Sequence, residues 1–400
     1  MKRYWRLITI VTVVVLTIGT FYIQSSLAAS DLPGVTIETV SGDADEMDPV
    51  TIGGNYNADG QLVNVHVDKT GATYSNEQSL FQRLRGSVQE RVQELREEHR
   101  GFMRGKQGNA VSYLEADNKL AYASVTNQIV SQGDKAAFDI AVLDKESGET
   151  TSFTVPVPDR ATYNYLYIDD VQMSDDELVL ITRNITKDGK KEERLYHADM
   201  GEQTISDGET ILSQDHTNTN KRDVNFNILT SGDGTAPRKD ILFRKRKQIT
   251  VSEGDQDKQQ AQEFETKTAG YVAYNLKTGE TQELDTPEAL ADQAAISRDD
   301  TTLYFKNGEK VTVYNFEKGE ITQKIALPES SSSSSAKDRR SGSVMRIKDN
   351  KGYILTRNED MPQRLLVLDL ASGDTLYEGR ISFDDIDDNA TVYLSNLTID

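Results

Sequence analysis

The chain has 400 residues, a net charge of −20, 36% hydrophobic and 28% charged residues, and no cysteine. That balance supports a folded core and excludes wholesale disorder; the acidic charge repels nucleic acid and excludes it as a partner. The missing thiols exclude disulfides, thiolate metal sites and cysteine nucleophiles.

Residues 1–29 carry the address. Lys2, Arg3 and Arg6 precede an apolar run over residues 7–23 whose membrane-facing residues are Leu7, Ile8, Ile10, Val11, Val13, Val14, Val15, Leu16, Ile18, Phe21 and Ile23. Positive charge before an apolar segment holds the N-terminus in the cytoplasm and sends the rest across. Seventeen residues are long for a signal-peptide core and short for a full span. Ser26 and Ala28 place small residues before Ala29, so two readings stand: a single-pass anchor in the cell membrane with its bulk outside, or a leader cleaved after Ala28 and a secreted product. The expected partners are the membrane, through this helix, and an envelope protein.

Residues 30–49 read as an acidic linker with one strand from Val35 to Val40. Beyond residue 50 two turn signatures alternate. The first has its leading acid at Asp59, Asp117, Asp175, Asp233, Asp299 and Asp349, spaced by 50 to 66 residues. Asp and Asn tolerate left-handed backbone and bond their own main chain, which suits a tight turn. The second runs Asp144-Lys-Glu-Ser-Gly148, Asn275-Leu-Lys-Thr-Gly279, Asn315-Phe-Glu-Lys-Gly319 and Asp369-Leu-Ala-Ser-Gly373, with a degenerate copy over residues 195–202. Its glycine supplies positive φ for a hairpin. In residues 297–327 the turns flank strands at 303–306, 311–316 and 321–327, a β-meander. The strand Asn389 to Leu397, with Thr391, Val392, Tyr393 and Leu394, is expected to pair near Val35 and Val50. Gly53-Gly54 reads as a bulge or a close backbone approach.

The paired signatures resemble the blades of β-propellers in the broad WD40-like, YVTN and TolB-like group, most closely over residues 297–320 and 365–374. There is no Trp-Asp dipeptide, and Trp5 is the one tryptophan. The resemblance implies an all-β propeller of about six, alternatively seven, four-stranded blades over residues 50–400.

Two features interrupt the repeat. Over residues 77–105, Phe81, Leu84, Val88, Val92 and Leu95 step by three or four and make one apolar helical stripe; Ser75 with Gln78 forms a capping box. The stripe reads either as packing on the propeller or as a docking face for a partner. Residues 252–268 and 329–343 read as polar loops, the second containing six consecutive serines. Lys239 and Arg244-Lys-Arg-Lys247 read as a solvated edge strand.

Chemistry is sparse. His66, His99, His197 and His216 have no metal-ligand spacing, and no phosphate loop, dinucleotide fingerprint or serine elbow occurs, so neither a cofactor nor a catalytic residue is expected. Asp384, Asp385, Asp387 and Asp388 form a weak calcium candidate, without spaced loop order. These readings point to a non-enzymatic sensor, scaffold or accessory subunit of an envelope complex. The alternative is an extracellular hydrolase or lyase for sugar or peptide that uses carboxylates at the mouth of the propeller channel; the acidic pairs are many, Asp43 with Asp45, Asp169-Asp170, Asp384-Asp385 and Asp387-Asp388, and the sequence singles out none of them.

Overall fold

A computed structural model describes residues 32–58, 61–74, 90–128, 136–175, 177–214, 224–229, 234–252, 263–291, 293–307, 310–327, 343–358, 361–384 and 390–399. The fold is all-β: six antiparallel sheets of four or five strands occur among these residues. They divide between two compact units, one of residues 1–87 and 333–400, the other of residues 88–332.

In the first unit, Val50–Ala58, Gln61–Asp68 and Gly71–Tyr74 form a meander, and Thr391–Ile399 adds beside Val50–Ala58. The other sheet of this unit runs Val344–Lys348, Lys351–Asn358, Met361–Asp369 and Thr375–Asp384, with Gly34–Gly42 on its outer edge. The C-terminal strand therefore pairs near Val50, as expected. The strand containing Val35 pairs instead with Thr375–Asp384. Their shared core includes Val35, Ile52, Val65, Tyr74, Leu365, Ile381 and Leu394. The register slips between Gly53 and Gly54, which is the expected bulge. A Cβ on Gly54 would stand 2.5 Å from the Tyr393 carbonyl oxygen and 2.7 Å from Leu394 Cα, so only glycine lets the two backbones meet there.

The second unit holds the other four sheets. The second sheet comprises Tyr113–Glu115, Lys119–Thr126, Ala137–Asp144 and Thr150–Pro156. The third comprises Tyr163–Ser174, Glu177–Thr186 and Lys191–Asp199, with Thr204–Ile205 and Glu209–Gln214 both on the last of these. The fourth comprises Val224–Ile228, Asp240–Ser252, Glu263–Asn275 and Thr281–Leu284, and the fifth Ala295–Arg298, Thr302–Asn307, Lys310–Asn315 and Glu320–Ala326. The fifth sheet places its three meander strands within one residue of the sequence expectation. Its two middle strands bury residues 302–305 and 311–314, while Glu320–Ala326 alternates exposed residues with the more buried Ile321, Gln323 and Ile325, as an outer strand should.

The hairpin device is repeated atom for atom. The N–H groups of Gly148, Gly279, Gly319 and Gly373 donate to the carbonyls of Asp144, Asn275, Asn315 and Asp369 at 2.9–3.0 Å. The same Asp or Asn side chains accept from the backbone three residues on, at 2.7–2.9 Å. All four glycines have φ between 70° and 82°. In the degenerate copy Asp199 accepts from Gly201 and Glu202, and Gln203 takes the left-handed position at φ 57°.

Two expectations change. The basic strand is not an edge: Asp240–Ser252 is paired on both sides, by Val224–Ile228 and Glu263–Asn275. Lys245 meets Glu283 on the outer strand, and burial holds the Arg244 guanidinium below its ordinary range, so the charges are absorbed within the sheet. Extended backbone also reaches into the 252–268 loop, because Glu263–Asn275 continues the pairing to Ser252. The 329–343 loop lies outside the described residues apart from Ser343.

Of the inserted helix, Glu90–Glu98 (α1) and Arg100–Met103 (α2) are described. Val92 and Leu95 are fully buried, in one cluster with Phe102, Met103, Tyr113, Leu120 and Leu143. At these two positions the stripe packs on the chain's own second sheet, which is the packing alternative of the sequence reading. Phe81, Leu84 and Val88 lie outside the described residues. Arg91 and Lys145 both reach Glu115 and, against the opposing effect of burial, hold its carboxyl below the usual range, which ties α1 to the sheet.

Candidate functional site

Between the second and third sheets lies a cavity of about 230 Å³. Three stretches build it. The connection after α2 supplies Gln107, Asn109 and Ser112; the strand Lys119–Thr126 and the residues after it supply Ser124, Val125 and Gln128; the strand Tyr163–Ser174 supplies Tyr165, Tyr167 and Ile168. The polar lining is thus three amides, two hydroxyls and two phenols, with Val125 and Ile168 as the apolar part.

These groups are held in place. The Tyr113 hydroxyl donates to the Gln107 carbonyl at 2.6 Å, and the Gln107 N–H donates to the Tyr122 hydroxyl at 3.3 Å, so a cross-strand tyrosine pair clamps the connection. Burial raises the pKa of both phenols, which keeps them neutral. The Tyr165 hydroxyl donates to Gln128 Oε1 at 3.2 Å, and the Tyr165 and Tyr167 rings meet edge to face, with centroids 5.6 Å apart at 62°.

Behind Tyr167 is a row of charge inside the third sheet. Cross-strand register sets Tyr167 opposite Arg183 and Arg183 opposite Glu193. A bulge drops Asp169 out of the ladder, since Ile181 pairs with Asp170 and Thr182 with Ile168. The Arg183 guanidinium is therefore surrounded: Nη2 donates to Asp169 at 2.6 Å, Nε to Glu193 at 2.6 Å and Nη1 to the Tyr167 hydroxyl at 3.3 Å. Burial pushes the Asp169 carboxyl up and that of Glu193 up to about 8, with Arg183 acting against both shifts. One cation thus lies between the half-buried Asp169 and the buried Glu193.

The neighbouring carboxylate points elsewhere. Asp170 is fully buried and accepts from Arg238 Nη1 at 2.6 Å; Gln172 accepts the Arg238 N–H at 2.8 Å. Burial raises Asp170 to about 6, and burial together with Arg238 lowers Arg298 to about 10. Asp169 and Asp170, adjacent in sequence, thus each hold a separate arginine and do not face one another across a gap, as a glycoside-cleaving pair does.

The other sequence candidates are dispersed. His66 is exposed on Gln61–Asp68, His99 sits between α1 and α2, His197 is on Lys191–Asp199, and His216 lies outside the described residues. Asp384 ends a strand beside Gly34, while Asp385, Asp387 and Asp388 lie outside the described residues. Among the described residues no three His, Asp or Glu side chains could hold a metal ion, and no helix is long and apolar enough to cross a membrane. Residues 7–23 lie outside that set. Sequence reasoning missed Tyr167, Arg183 and Glu193; the available signal was Arg183 itself, a charge at the end of the apolar run Leu178-Val-Leu-Ile.

No family model and no curated protein matches the chain. Several solved structures do. An uncharacterised Listeria monocytogenes protein is 9% identical, with TM-score 0.32, over 67% of this chain and 66% of its own. Porphyromonas gingivalis dipeptidyl peptidase 4 is 12% identical, with TM-score 0.37, over 79% of this chain; the chain spans only 42% of the peptidase. A polysaccharide lyase, an ulvan lyase, is 11% identical, with TM-score 0.36, over 90% of this chain and 94% of its own.

Proposed function

We propose that the six sheets are blades of one extracytoplasmic β-propeller of the WD40-like kind, tethered by residues 7–23, and that the chain is a non-enzymatic recognition module serving as sensor, scaffold or accessory subunit of an envelope complex. Its recognition site is the cavity between the second and third sheets. The lining of that cavity carries the reading: every polar group on it is a neutral donor or acceptor, and the carboxyls of Asp169, Glu193 and Asp170 are engaged by Arg183 and Arg238. Such a surface fixes a ligand's orientation with uncharged groups, while the carboxyls of Asp169, Asp170 and Glu193 are bonded to arginines and are not part of the lining. The test exposes the full chain to panels of oligosaccharides and peptides while following melting temperature and product formation. The expected result is a ligand-dependent rise in melting temperature without product. Turnover that disappears in Asp169→Asn or Asp170→Asn, with cooperative melting retained, overturns the proposal in favour of a hydrolase or lyase.

A further inference from the structure

We infer that the cavity takes a single neutral sugar ring, and that Tyr167 presents an oriented O–H to it. This rests on reading the cavity as a recognition site.

The lining chemistry selects the ligand class. A sugar hydroxyl donates and accepts at once, and so do the amides of Gln107 and Asn109 and the hydroxyls of Ser112 and Ser124. A charged ligand needs an opposite charge, and the lining has none. The chain's charge of −20 further disfavours polyanions. The Tyr165 ring with Val125 and Ile168 supplies an apolar wall for the C–H face of a pyranose. Volume sets the size: about 230 Å³ is below the roughly 300–1,000 Å³ of drug-sized sites, which leaves room for one ring with any continuing glycan outside.

Tyr167 has a specific place in this. Its oxygen accepts from Arg183 Nη1, and the carboxyl groups of Asp169 and Glu193, each at 2.6 Å, stop the guanidinium from turning away. A phenol that accepts from a cation is polarised into a better donor. Its proton then goes to a ligand oxygen. Arg183, Asp169 and Glu193 are positioning residues that act through Tyr167.

The experiment uses the full chain in a polyoxyethylene detergent, whose headgroup contains no sugar. Binding is measured calorimetrically for glucose, galactose, N-acetylglucosamine and their disaccharides, beside uncharged tripeptides. The expected result is that at least one sugar binds without being cleaved, that Tyr167→Phe weakens it about tenfold, the worth of one lost hydrogen bond, and that the variant still melts cooperatively. Gln128→Leu, whose side chain meets the Tyr165 hydroxyl, serves as a second variant if Tyr167→Phe fails to melt cooperatively, and it too weakens binding. Tripeptide binding sensitive to Tyr167→Phe, with no sugar bound, overturns the sugar assignment and leaves the recognition reading standing. Absence of binding by either class also overturns the assignment. Sugar binding indifferent to both variants overturns the placement. Cleavage of a bound sugar removes the recognition reading itself.

Discussion

Replacing Gly54 by alanine tests the pairing of Val50–Ala58 with Thr391–Ile399. The new Cβ would lie 2.5 Å from the Tyr393 carbonyl oxygen, 2.7 Å from Leu394 Cα and 2.8 Å from Leu394 Cδ2. Two of these are backbone atoms that cannot rotate away, so the strand must retreat by about 0.9 Å to restore an ordinary contact near 3.4 Å. Such a shift weakens one or two ladder hydrogen bonds, at about 0.5–1.5 kcal/mol each, and loosens the packing of fully buried Leu394. Overpacking of this kind costs about 1–3 kcal/mol, and losing a glycine from a strand returns about 0.5–1 kcal/mol. The expected net loss is about 1–3 kcal/mol. Gly53→Ala is the internal control, because its Cβ would meet Asn396 Cβ at 3.4 Å and no backbone atom; it should stay within about 0.5 kcal/mol of the parent. Urea unfolding followed by near-ultraviolet circular dichroism reads both, with equal slopes expected. Equal effects from the two substitutions, or a neutral Gly54→Ala, refute the reasoning.

Leu95→Ala should destabilise by about 2–4 kcal/mol, the cost of emptying a fully buried leucine site; an effect below about 0.5 kcal/mol by urea titration would show that α1 is not core. Burial raises the folded-state pKa of Glu193 from 4.5 to about 8, so the native state holds a proton that the unfolded chain has released. That stability is fully present below about pH 4.5 and is lost as pH rises through 8, with a slope up to about 1.4 kcal/mol per pH unit. Glu193→Gln, which fixes the neutral form, should flatten the slope between pH 6 and 8; parallel profiles for variant and parent would contradict the assignment.

What the sequence disclosed and what it hid follow from the range of the interactions. The hairpin turns were legible because Asp144, Asn275, Asn315 and Asp369 each bond their own next three residues, which is information within one short window. The buried middle strands were legible from runs such as Leu303-Tyr-Phe. The Tyr167–Arg183–Glu193 row was not, since it depends on two cross-strand registers and a bulge at Asp169 that no local pattern specifies. The basic strand was misplaced for a related reason: its partners, Val224–Ile228 and Glu263–Asn275, decide whether it is edge or interior. The acidic pairs could not be ranked from sequence, because what Asp169 and Asp170 do depends on the distant Arg183 and Arg238 that they bind.

The exchange of terminal strands sets an order of assembly. Residues 88–332 are contiguous and carry four complete sheets, so that unit has all its strands while later residues are still being synthesised. The sheet begun at Val50 cannot be finished until Thr391–Ile399 leaves the ribosome, and until then Val50–Ala58 presents an unpaired edge open to wrong partners. Closing a contact across some 340 residues is slow. A permuted chain that starts at residue 391 and runs through a linker into Gly34–Gly42 would bring that strand next to its neighbour early, and should refold faster without altering any contact in the finished sheet.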